Sequence, residues 1–484
     1  MYMQNIYIVF EKTFLSICLI VLSLDVSAKV CLPSVLGNNM VLQQNREVKV
    51  WGTTEPGRTV NLYVSWHEGS QTIKADKNGN FQFKTRTPSA GGPYKMVFDD
   101  GDVLTLENIL IGEVWLCSGQ SNMQMPMRGQ LNQSVIGSNR IIAQADSLTP
   151  IRMFTVQKAT SKSPTADCIG SWVNNTSENV AEFSAVGYFF GQYIQQQLKV
   201  PVGLIHTSWG ASNIQAWMSE EVLRKIPEIN LDHLTSNVET KLFPQQLPCL
   251  LYNAMIYPLK DYAIQGMIWY QGESNVQNPK LYGKLFPAFV ADLRSTFAQG
   301  DFPFYYAQIA PFPLKKFEGV RLREVQMLCA KNIAHSGMAV LMDIGEQNCI
   351  HPSRKMEVGE RLAYWALGDT YGKKGFAYAS PEYDSMKIVK NKIWLSFRNA
   401  DLGLTSYYKE LENFEIAGED KKFYVAEACI IKQDNKVYVE VGSQSVSNPV
   451  AVRYAFKNFV VGDLFGVAGL PVSSFRTDDW GEVK

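Results

Sequence analysis

After its first 28 residues the chain consists of short runs in which apolar and polar residues alternate. Val48 to Trp51 and Val60 to Val64 have this period of two, which is typical of strands with one buried face. Gly, Asn and Pro separate the runs, and Asp76 to Asn80 has the composition of a hairpin turn. These features predict an N-terminal β-sandwich domain over residues 29–108.

The middle of the chain has a different pattern, in which apolar runs alternate with segments of helical spacing. The apolar runs occupy 111–116, 202–207, 266–270, 303–309 and 338–344. The helical segments occupy 185–198, 281–298, 320–334 and 356–367. Alternation of this kind predicts an α/β domain over residues 109–370, built on a doubly wound parallel sheet with helices on both faces.

The alternating pattern returns after this region. Lys392 to Phe397 and Lys436 to Val441 are its clearest strands. We therefore expect a C-terminal β-rich domain over residues 371–484. The predicted fold class is α/β, with the parallel sheet flanked by all-β regions on both sides.

The first residues form a separate unit. Thr13 to Leu24 is a short apolar run that follows Lys12 and precedes the small-residue pattern Val26-Ser27-Ala28. The run is too short to span a bilayer comfortably. It predicts a signal peptide at residues 1–28, an exported protein that is periplasmic or secreted, and no membrane segment in the mature chain.

Composition limits the kinds of ligand and partner that the chain is expected to bind. Lys plus Arg and Asp plus Glu both total 46, so the chain has no net charge to hold nucleic acid. Of the 8 cysteines, Cys18 lies in the predicted signal, and the others form no disulfide pattern. No histidines have metal-ligand spacing and no Cys/His cluster exists, which argues against a metal-dependent hydrolase. We expect neither a metal nor another cofactor.

Small and polar residues follow four of the predicted strands. In a doubly wound sheet, ligands bind beyond the carboxyl ends of the strands. The four segments at those ends are Ser118 to Asn122, Ser208 to Ser212, Gln271 to Asn275 and Gly345 to His351. Their shared position predicts a functional site at this edge of the sheet.

The first of these segments contains two serines in the sequence C-S-G-Q-S-N-M. One interpretation is an ordinary helix N-cap, a position that Ser and Asn favour. The other is a nucleophile, because Ser121 falls where a strand turns into a helix and its hydroxyl would be exposed. Ser118 lies on the strand side of Gly119, and Cys117 is expected to be a small buried residue.

A serine nucleophile needs a base, which is usually histidine. Four of the five histidines are poorly placed, because they lie away from the strand ends, at the end of a helix or inside an apolar strand. These four are His67, His233, His335 and His206. His351 remains, and it follows the last predicted strand of the sheet.

The ordered segments resemble the blocks of the sialate O-acetylesterase family, a branch of the SGNH hydrolases. The blocks are Gly112 to Met123, Ser208 to Trp217, Gly266 to Asn275 and Ile350 to Arg361, and the flanking Tyr252 to Leu259 and Gly469 to Trp480 are similar as well. The resemblance covers nearly the whole mature chain. It implies that the α/β domain has an SGNH-hydrolase-like sheet.

The resemblance implies ester hydrolysis through an acyl-enzyme. Ser121 would attack an acetyl carbonyl, and His351 would accept its proton and later activate water. The implied oxyanion donors are the backbone N–H groups of Ser121 and Gly210 and one side-chain amide. Gln271 is favoured for that amide, and Asn275 is the alternative.

The chain departs from the family at two places. Ala211 stands where relatives often have a second glycine, and Cys349 and Asn348 stand where many have an aspartate that orients the histidine. The candidates for the orienting acid are Glu273, Asp343 and Glu346. Related esterases favour Glu273 as the catalytic acid, although it also fits a structural role beside Arg361 or Lys355. A Ser-His dyad held by a backbone carbonyl is the further alternative.

The substrate implied by the resemblance is an O-acetylated sugar, with O-acetylated sialic acids first and acetylxylan or another plant glycan second. A different class remains open, because the missing aspartate also fits a catalytically dead glycan-binding protein. Four aromatic residues near the strand ends fit either sugar stacking or the core, and these are Trp209, Trp217, Trp269 and Tyr270. The pattern predicts no oligomeric state.

Overall fold

The computed structural model describes residues 29–236, 241–314 and 318–481. The predicted signal peptide, residues 1–28, lies outside the described residues. Seven strands come first: β1 Val41–Gln43, β2 Glu47–Thr53, β3 Thr59–Val64, β4 Ser70–Lys74, β5 Asn80–Arg86, β6 Gly91–Asp99 and β7 Val103–Gly119.

These strands form two layers that share one apolar core. Strands β3, β4, β6 and β7 belong to one sheet, and β2 pairs with β5 in the other. The rings of Phe81 and Phe98, one from each layer, lie 6.2 Å apart between centroids. The turn at Asp76 is present, but the hairpin prediction is wrong, because β4 pairs with β3 while β5 pairs with β2. The turn carries the chain from one layer to the other.

The middle of the chain contains the predicted alternation of strands and helices. Its elements are α1 Ser121–Gln124, α2 Ser138–Ala143, β8 Ile151–Thr155, β9 Trp172–Asn174, α3 Ser177–Glu182, α4 Ala185–Leu198, β10 Val202–Ser208, α5 Glu220–Leu223, β11 Gly266–Tyr270, α6 Pro279–Phe297, β12 Phe304–Ala307, α7 Gly319–Ala330, β13 Ser336–Ala339 and α8 Lys355–Trp365.

The strands of this region form one sheet in the order β13-β12-β11-β7-β10-β8-β9. All neighbours in that order are parallel except β8 and β9, which are antiparallel. The sheet is mixed as a whole, because the first half of β7 is antiparallel to β6. The sequence analysis did not predict β8 and β9. The α/β alternation and the parallel pairing of the five predicted strands are confirmed.

Helices cover both faces of the sheet, as a buried parallel sheet requires. On one face Trp115 and Cys117 of β7 share an apolar cluster with residues of α4 and α8. On the other face Leu116 shares a cluster with Trp269 of β11 and Phe289 of α6. The alternation of side chains along β7 therefore divides the core into two halves.

Strand β7 belongs to both the N-terminal layers and the α/β sheet. Residues Val103–Ile111 pair with β6, and residues Glu113–Gly119 pair with β10. The division predicted between residues 108 and 109 falls inside this strand. The segment that contains Ser121 thus follows a strand whose beginning is fixed in another sheet.

The C-terminal region consists of strands in small, separate sheets. They are β14 Glu382–Val389, β15 Lys392–Arg398, β16 Leu404–Thr405, β17 Phe414–Ala417, β18 Phe423–Val425, β19 Glu427–Gln433, β20 Lys436–Gly442, β21 Ala451–Tyr454, β22 Phe465–Gly466 and β23 Phe475–Arg476. In the described part of the chain, no helix has the length and apolar character needed to cross a membrane.

The C-terminal region is tied to the α/β sheet by a buried arginine. Arg323 of α7 is fully buried and donates to the carbonyl oxygens of Lys457 and Asn458 and to the Ser474 hydroxyl. Burial lowers the pKa of Arg323 to about 9. Its guanidinium therefore satisfies backbone groups of the C-terminal region instead of pairing with a carboxylate.

Candidate active site

The turn after β7 exposes one serine and buries the other. Gly119 has a φ of +146°, and a Cβ at this position would lie 2.1 Å from the Tyr270 carbonyl oxygen, so glycine is required here. Helix α1 begins two residues later at Ser121, whose side chain is partly exposed. Ser118 and Cys117 are fully buried, and burial raises the pKa of the Cys117 thiol, which makes it a poor nucleophile.

The structure brings Ser121 and His351 together. His351 Nε2 lies 2.9 Å from Ser121 Oγ, and its Nδ1 lies 2.9 Å from Oε1 of Gln133. Because the Gln133 amide oxygen only accepts hydrogen bonds, Nδ1 carries the ring proton and donates it to that oxygen. Nε2 then presents its lone pair to the Ser121 hydroxyl, which is the tautomer that a general base needs.

The surroundings of His351 keep its ring neutral. Burial, with a smaller contribution from the positive charge of Lys355, lowers the pKa of His351 to about 4. The imidazole is therefore unprotonated at neutral pH and able to accept a proton from Ser121.

None of the three acids considered from the sequence bonds the His351 ring in the described structure. Asp343 pairs with Arg361 through two bonds of 2.7 Å. Glu346 accepts from the backbone N–H and the hydroxyl of Ser353 at 2.7 and 2.6 Å. Glu273 accepts from the Asn122 amide at 2.7 Å.

The orienting group is instead the neutral side chain of Gln133, which the sequence analysis missed. Gln133 lies in the irregular segment between α1 and α2. A single glutamine in a polar loop has no motif, and 218 positions separate it from His351 in the chain. No signal in the sequence marks this pairing.

Asn122 links the segment that carries His351 to the turn that carries Ser121. Its buried amide donates to Glu273 and, at 3.2 Å, to the Ile350 carbonyl oxygen, and its own oxygen accepts from the Lys355 ammonium. Burial raises the pKa of Glu273 and lowers the pKa of Lys355 to about 7. Asn122 thus bridges Glu273 and Lys355 by hydrogen bonds, and the two opposite charges also attract each other directly.

Two backbone donors lie beside the Ser121 hydroxyl. Within the residues described, no acceptor takes the Ser121 N–H. Gly210 follows β10, and a Cβ placed on it would lie 3.4 Å from Ser121 Cβ. The Gly210 N–H donates to Oε1 of Gln124 at 2.7 Å.

The geometry favours Asn275 over Gln271 as the side-chain donor. Gln271 is fully buried, and its N–H groups donate to the Ser212 carbonyl at 3.2 Å and to Asn275 Oδ1 at 2.7 Å. Asn275 is partly exposed and gives one N–H to Gln215 at 3.1 Å, which leaves its second N–H available. Gln271 therefore orients Asn275 instead of facing the site itself.

Ala211 adopts a backbone conformation that favours glycine. Its φ is +60°, in the left-handed region that costs a non-glycine residue about 1 kcal/mol. Its side chain is exposed. The alanine therefore holds a strained backbone conformation next to Gly210.

Of the four aromatic residues considered for sugar stacking, only Trp209 is partly exposed. Trp217, Trp269 and Tyr270 are fully buried and belong to the core. The Lys158 ammonium lies 5.6 Å from the centroid of the Trp209 ring, within the range of a cation–π contact. Trp209 directly precedes Gly210, so this contact lies beside the candidate site.

The described residues contain no group of three or more His, Cys, Asp and Glu side chains that could hold a metal ion. The cysteines in the same ranges are all free thiols. His206 is a buried residue of β10 whose Nε2 bonds the Ser208 hydroxyl. The groups at the strand ends include a hydroxyl, an imidazole, amides and backbone N–H groups, which are suited to acyl transfer.

Comparisons with known proteins agree with this chemistry. The family described as "Carbohydrate esterase, sialic acid-specific acetylesterase" matches residues 111–367, more than half of the chain. Sialate O-acetylesterase of Homo sapiens is 28% identical over 82% of this chain and 79% of its own length, and that of Mus musculus is 27% identical over 87% and 88%. The crystal structure of a carbohydrate acetylesterase from Xanthomonas citri has a TM-score of 0.83 and 33% identity, over 93% of this chain and 100% of its own. This chain is an esterase and belongs to the sialic acid-specific acetylesterase family of carbohydrate esterases.

Proposed function

We propose that this protein is an exported serine esterase that releases acetate from O-acetylated sialic acids through an acyl-enzyme. The observation that carries the proposal is the hydrogen bond between Ser121 and His351. It lies at the carboxyl edge of the parallel sheet, in a chain that belongs to an esterase family. The names of the relatives support the sugar, and the apolar segment at residues 13–24 supports export to the periplasm or outside the cell. The strand order and the site at the carboxyl edge support an SGNH-hydrolase-like α/β domain.

The first half of the proposed reaction forms the acyl-enzyme. Ser121 Oγ attacks the acetyl carbonyl while His351 Nε2 accepts the hydroxyl proton. The developing oxyanion takes hydrogen bonds from the N–H groups of Ser121 and Gly210 and from the side chain of Asn275. Collapse of this intermediate breaks the bond to the sugar oxygen, which receives the proton from His351 and leaves.

The second half repeats these steps with water. His351 accepts a proton from water as the water oxygen attacks the acetyl-Ser121 carbonyl, and the proton then returns to Ser121 as acetate departs. The Gln133 amide oxygen accepts the hydrogen bond from His351 Nδ1–H throughout and keeps the ring in one orientation. A neutral amide stabilises the imidazolium less than a carboxylate does, but the tautomer is the same.

The two serines of the segment C-S-G-Q-S-N-M, Ser118 and Ser121, supply a matched pair of variants. Ser121→Ala removes the nucleophile, and we expect acetate release from a small acetyl ester to fall by at least about a thousandfold. Ser118→Ala removes a buried hydroxyl without a described partner, and activity should stay close to that of the wild type. Acetate release and covalent labelling by an organophosphonate are the measurements. A wild-type protein that hydrolyses no ester and takes no label would instead be a glycan-binding protein.

The contact between Lys158 and Trp209 supports an acidic sugar over neutral acetylxylan. The described structure shows no carboxylate paired with Lys158, and a sialic acid carries one. We expect Lys158→Met to lower kcat/KM on O-acetylated sialic acid by roughly tenfold, the effect of one charge-assisted hydrogen bond. The same variant should leave activity on acetylated xylan and on a nitrophenyl acetate unchanged.

The control for this prediction is Lys162→Met. Lys162 is an exposed lysine of the same segment and donates to the Ser236 carbonyl oxygen at 3.2 Å. Its replacement should affect no substrate. Faster hydrolysis of acetylated xylan than of the sialic acid by the wild type would assign the protein to plant glycans instead.

A further inference from the structure

The Gly210 N–H is already occupied in the free protein. It donates to the side-chain amide oxygen of Gln124 at 2.7 Å, and Gly210 packs against Ser121. Gln124 is the last residue of α1, the short helix that begins with Ser121. An amide oxygen is an sp² oxygen like that of an acetyl group, so Gln124 fills the place that the proposed function gives to the acyl oxygen.

We propose that the Gln124 side chain closes the oxyanion hole of the free enzyme and leaves the Gly210 N–H when substrate binds. The inference rests on the proposed function, because that function makes the Gly210 N–H an oxyanion donor. Gln124 is then a positioning residue, which acts through Gly210 and forms no bond with the substrate.

Competition for one donor is the physical basis of this closure. A backbone N–H makes one strong, nearly linear hydrogen bond, so Gln124 Oε1 and the acyl oxygen exclude each other. The bond to Gln124 keeps a partly buried N–H satisfied while the site is empty. Since Gln124 is itself only partly buried, its side chain has solvent on one side into which it can swing.

Two substitutions of similar size at Gln124 are expected to act in opposite directions. Gln124→Met keeps the length of the side chain and removes the acceptor, so the second-order rate of Ser121 labelling by a small organophosphonate should rise roughly twofold to tenfold, the range of one net hydrogen bond. Gln124→Glu supplies a charged acceptor that binds the N–H more strongly and repels an oxyanion. Its labelling rate should fall by about tenfold or more.

A merely structural role for Gln124 would slow both variants, because both would disturb the same packing. The kcat/KM for a small acetyl ester should follow the labelling rates. Gln124→Leu is the second variant without an acceptor, and it should behave as Gln124→Met does if the methionine variant fails to fold. Slower labelling of a folded Met or Leu variant, or rates equal to the wild type for all three, would overturn the proposal.

The experiment separates this inference from the proposed function. Wild type and Ser121→Ala are labelled in parallel, and reaction of the wild type alone establishes the nucleophile. If the wild type does not react, the proposed function fails. If it reacts at Ser121 while the Gln124 variants react at the same rate, only the closure by Gln124 fails.

Discussion

At the scale of single residues, the proposed catalytic pair is oriented by a side chain without charge. Gln133 fixes the tautomer of His351 but carries no net negative charge, while burial and Lys355 both disfavour the imidazolium. The pKa of His351 near 4 follows from that combination. A base of this kind stays available in mildly acidic solution, where a histidine of ordinary pKa would be protonated.

The pH dependence of the esterase should reflect this environment. Activity of the wild type should hold from neutral pH down to about 5 and then fall as His351 is protonated near pH 4. Gln133→Glu places a carboxylate on Nδ1, which favours the imidazolium and raises its pKa. We expect the acid limb of kcat/KM to move up by about one pH unit or more.

The uncharged control is Gln133→Leu. It removes the acceptor that fixes the ring, so kcat/KM should fall by about tenfold or more, while its acid limb should not move upward. Profiles of kcat/KM between pH 3 and 8 are the measurement. An acid limb that stays in place in Gln133→Glu would show that the carboxylate does not reach the ring.

At the scale of elements, the sequence predicted those helices and strands whose apolar residues recur with a regular period. Helix α4 and strand β11 lie where the pattern placed them, because long periodic runs record burial on a fixed face. The run at 338–344 shows the limit of that argument, since β13 ends at Ala339 and the residues after it continue as a buried loop. The apolar residues after Ala339 are therefore a sign of burial and not of a continuing strand.

The same limit applies to the candidate site. Ser121 and His351 were accessible from the sequence because strand ends of a doubly wound sheet converge. Gln133 and Gln124 were not, because each contact joins an amide without a motif to a distant segment of the chain. The choice between Gln271 and Asn275 could not be made from the sequence for a related reason, since only the packed structure shows that the N–H groups of Gln271 are already engaged.

At the scale of the whole molecule, Arg323 joins the C-terminal region to the α/β sheet. Its three acceptors all lie in the segment from Lys457 to Ser474, and Gln308, directly after β12, donates to the Ser473 hydroxyl at 2.8 Å. The Arg323 guanidinium itself is fully buried, and its bond to Ser474 and the bond between Gln308 and Ser473 are buried as well, so a lost donor there leaves a buried hydroxyl unsatisfied. The two regions should therefore unfold together.

Replacing this arginine tests that coupling. Arg323→Met should lower the free energy of unfolding by about 2–4 kcal/mol, because two backbone carbonyl groups and a buried hydroxyl lose their shared donor. Arg398→Met, which removes a half-exposed ion pair with Glu382, should cost less than about 1 kcal/mol. Urea unfolding followed by fluorescence and circular dichroism measures both. A loss for Arg323→Met no greater than that of the control would show that the regions are independent.

Because β7 belongs to both sheets, the N-terminal layers help to position Ser121, the proposed nucleophile. Side chains along a strand alternate between faces, so a slip of one residue would send Leu116 to the side that now holds Trp115 and Cys117. The same slip would turn Gly119 away from the Tyr270 carbonyl, and it would move Ser121 out of hydrogen-bond distance of His351. The pairing of β6 with the start of β7 thus fixes the register of β7, and with it the position of Ser121, from outside the candidate active site.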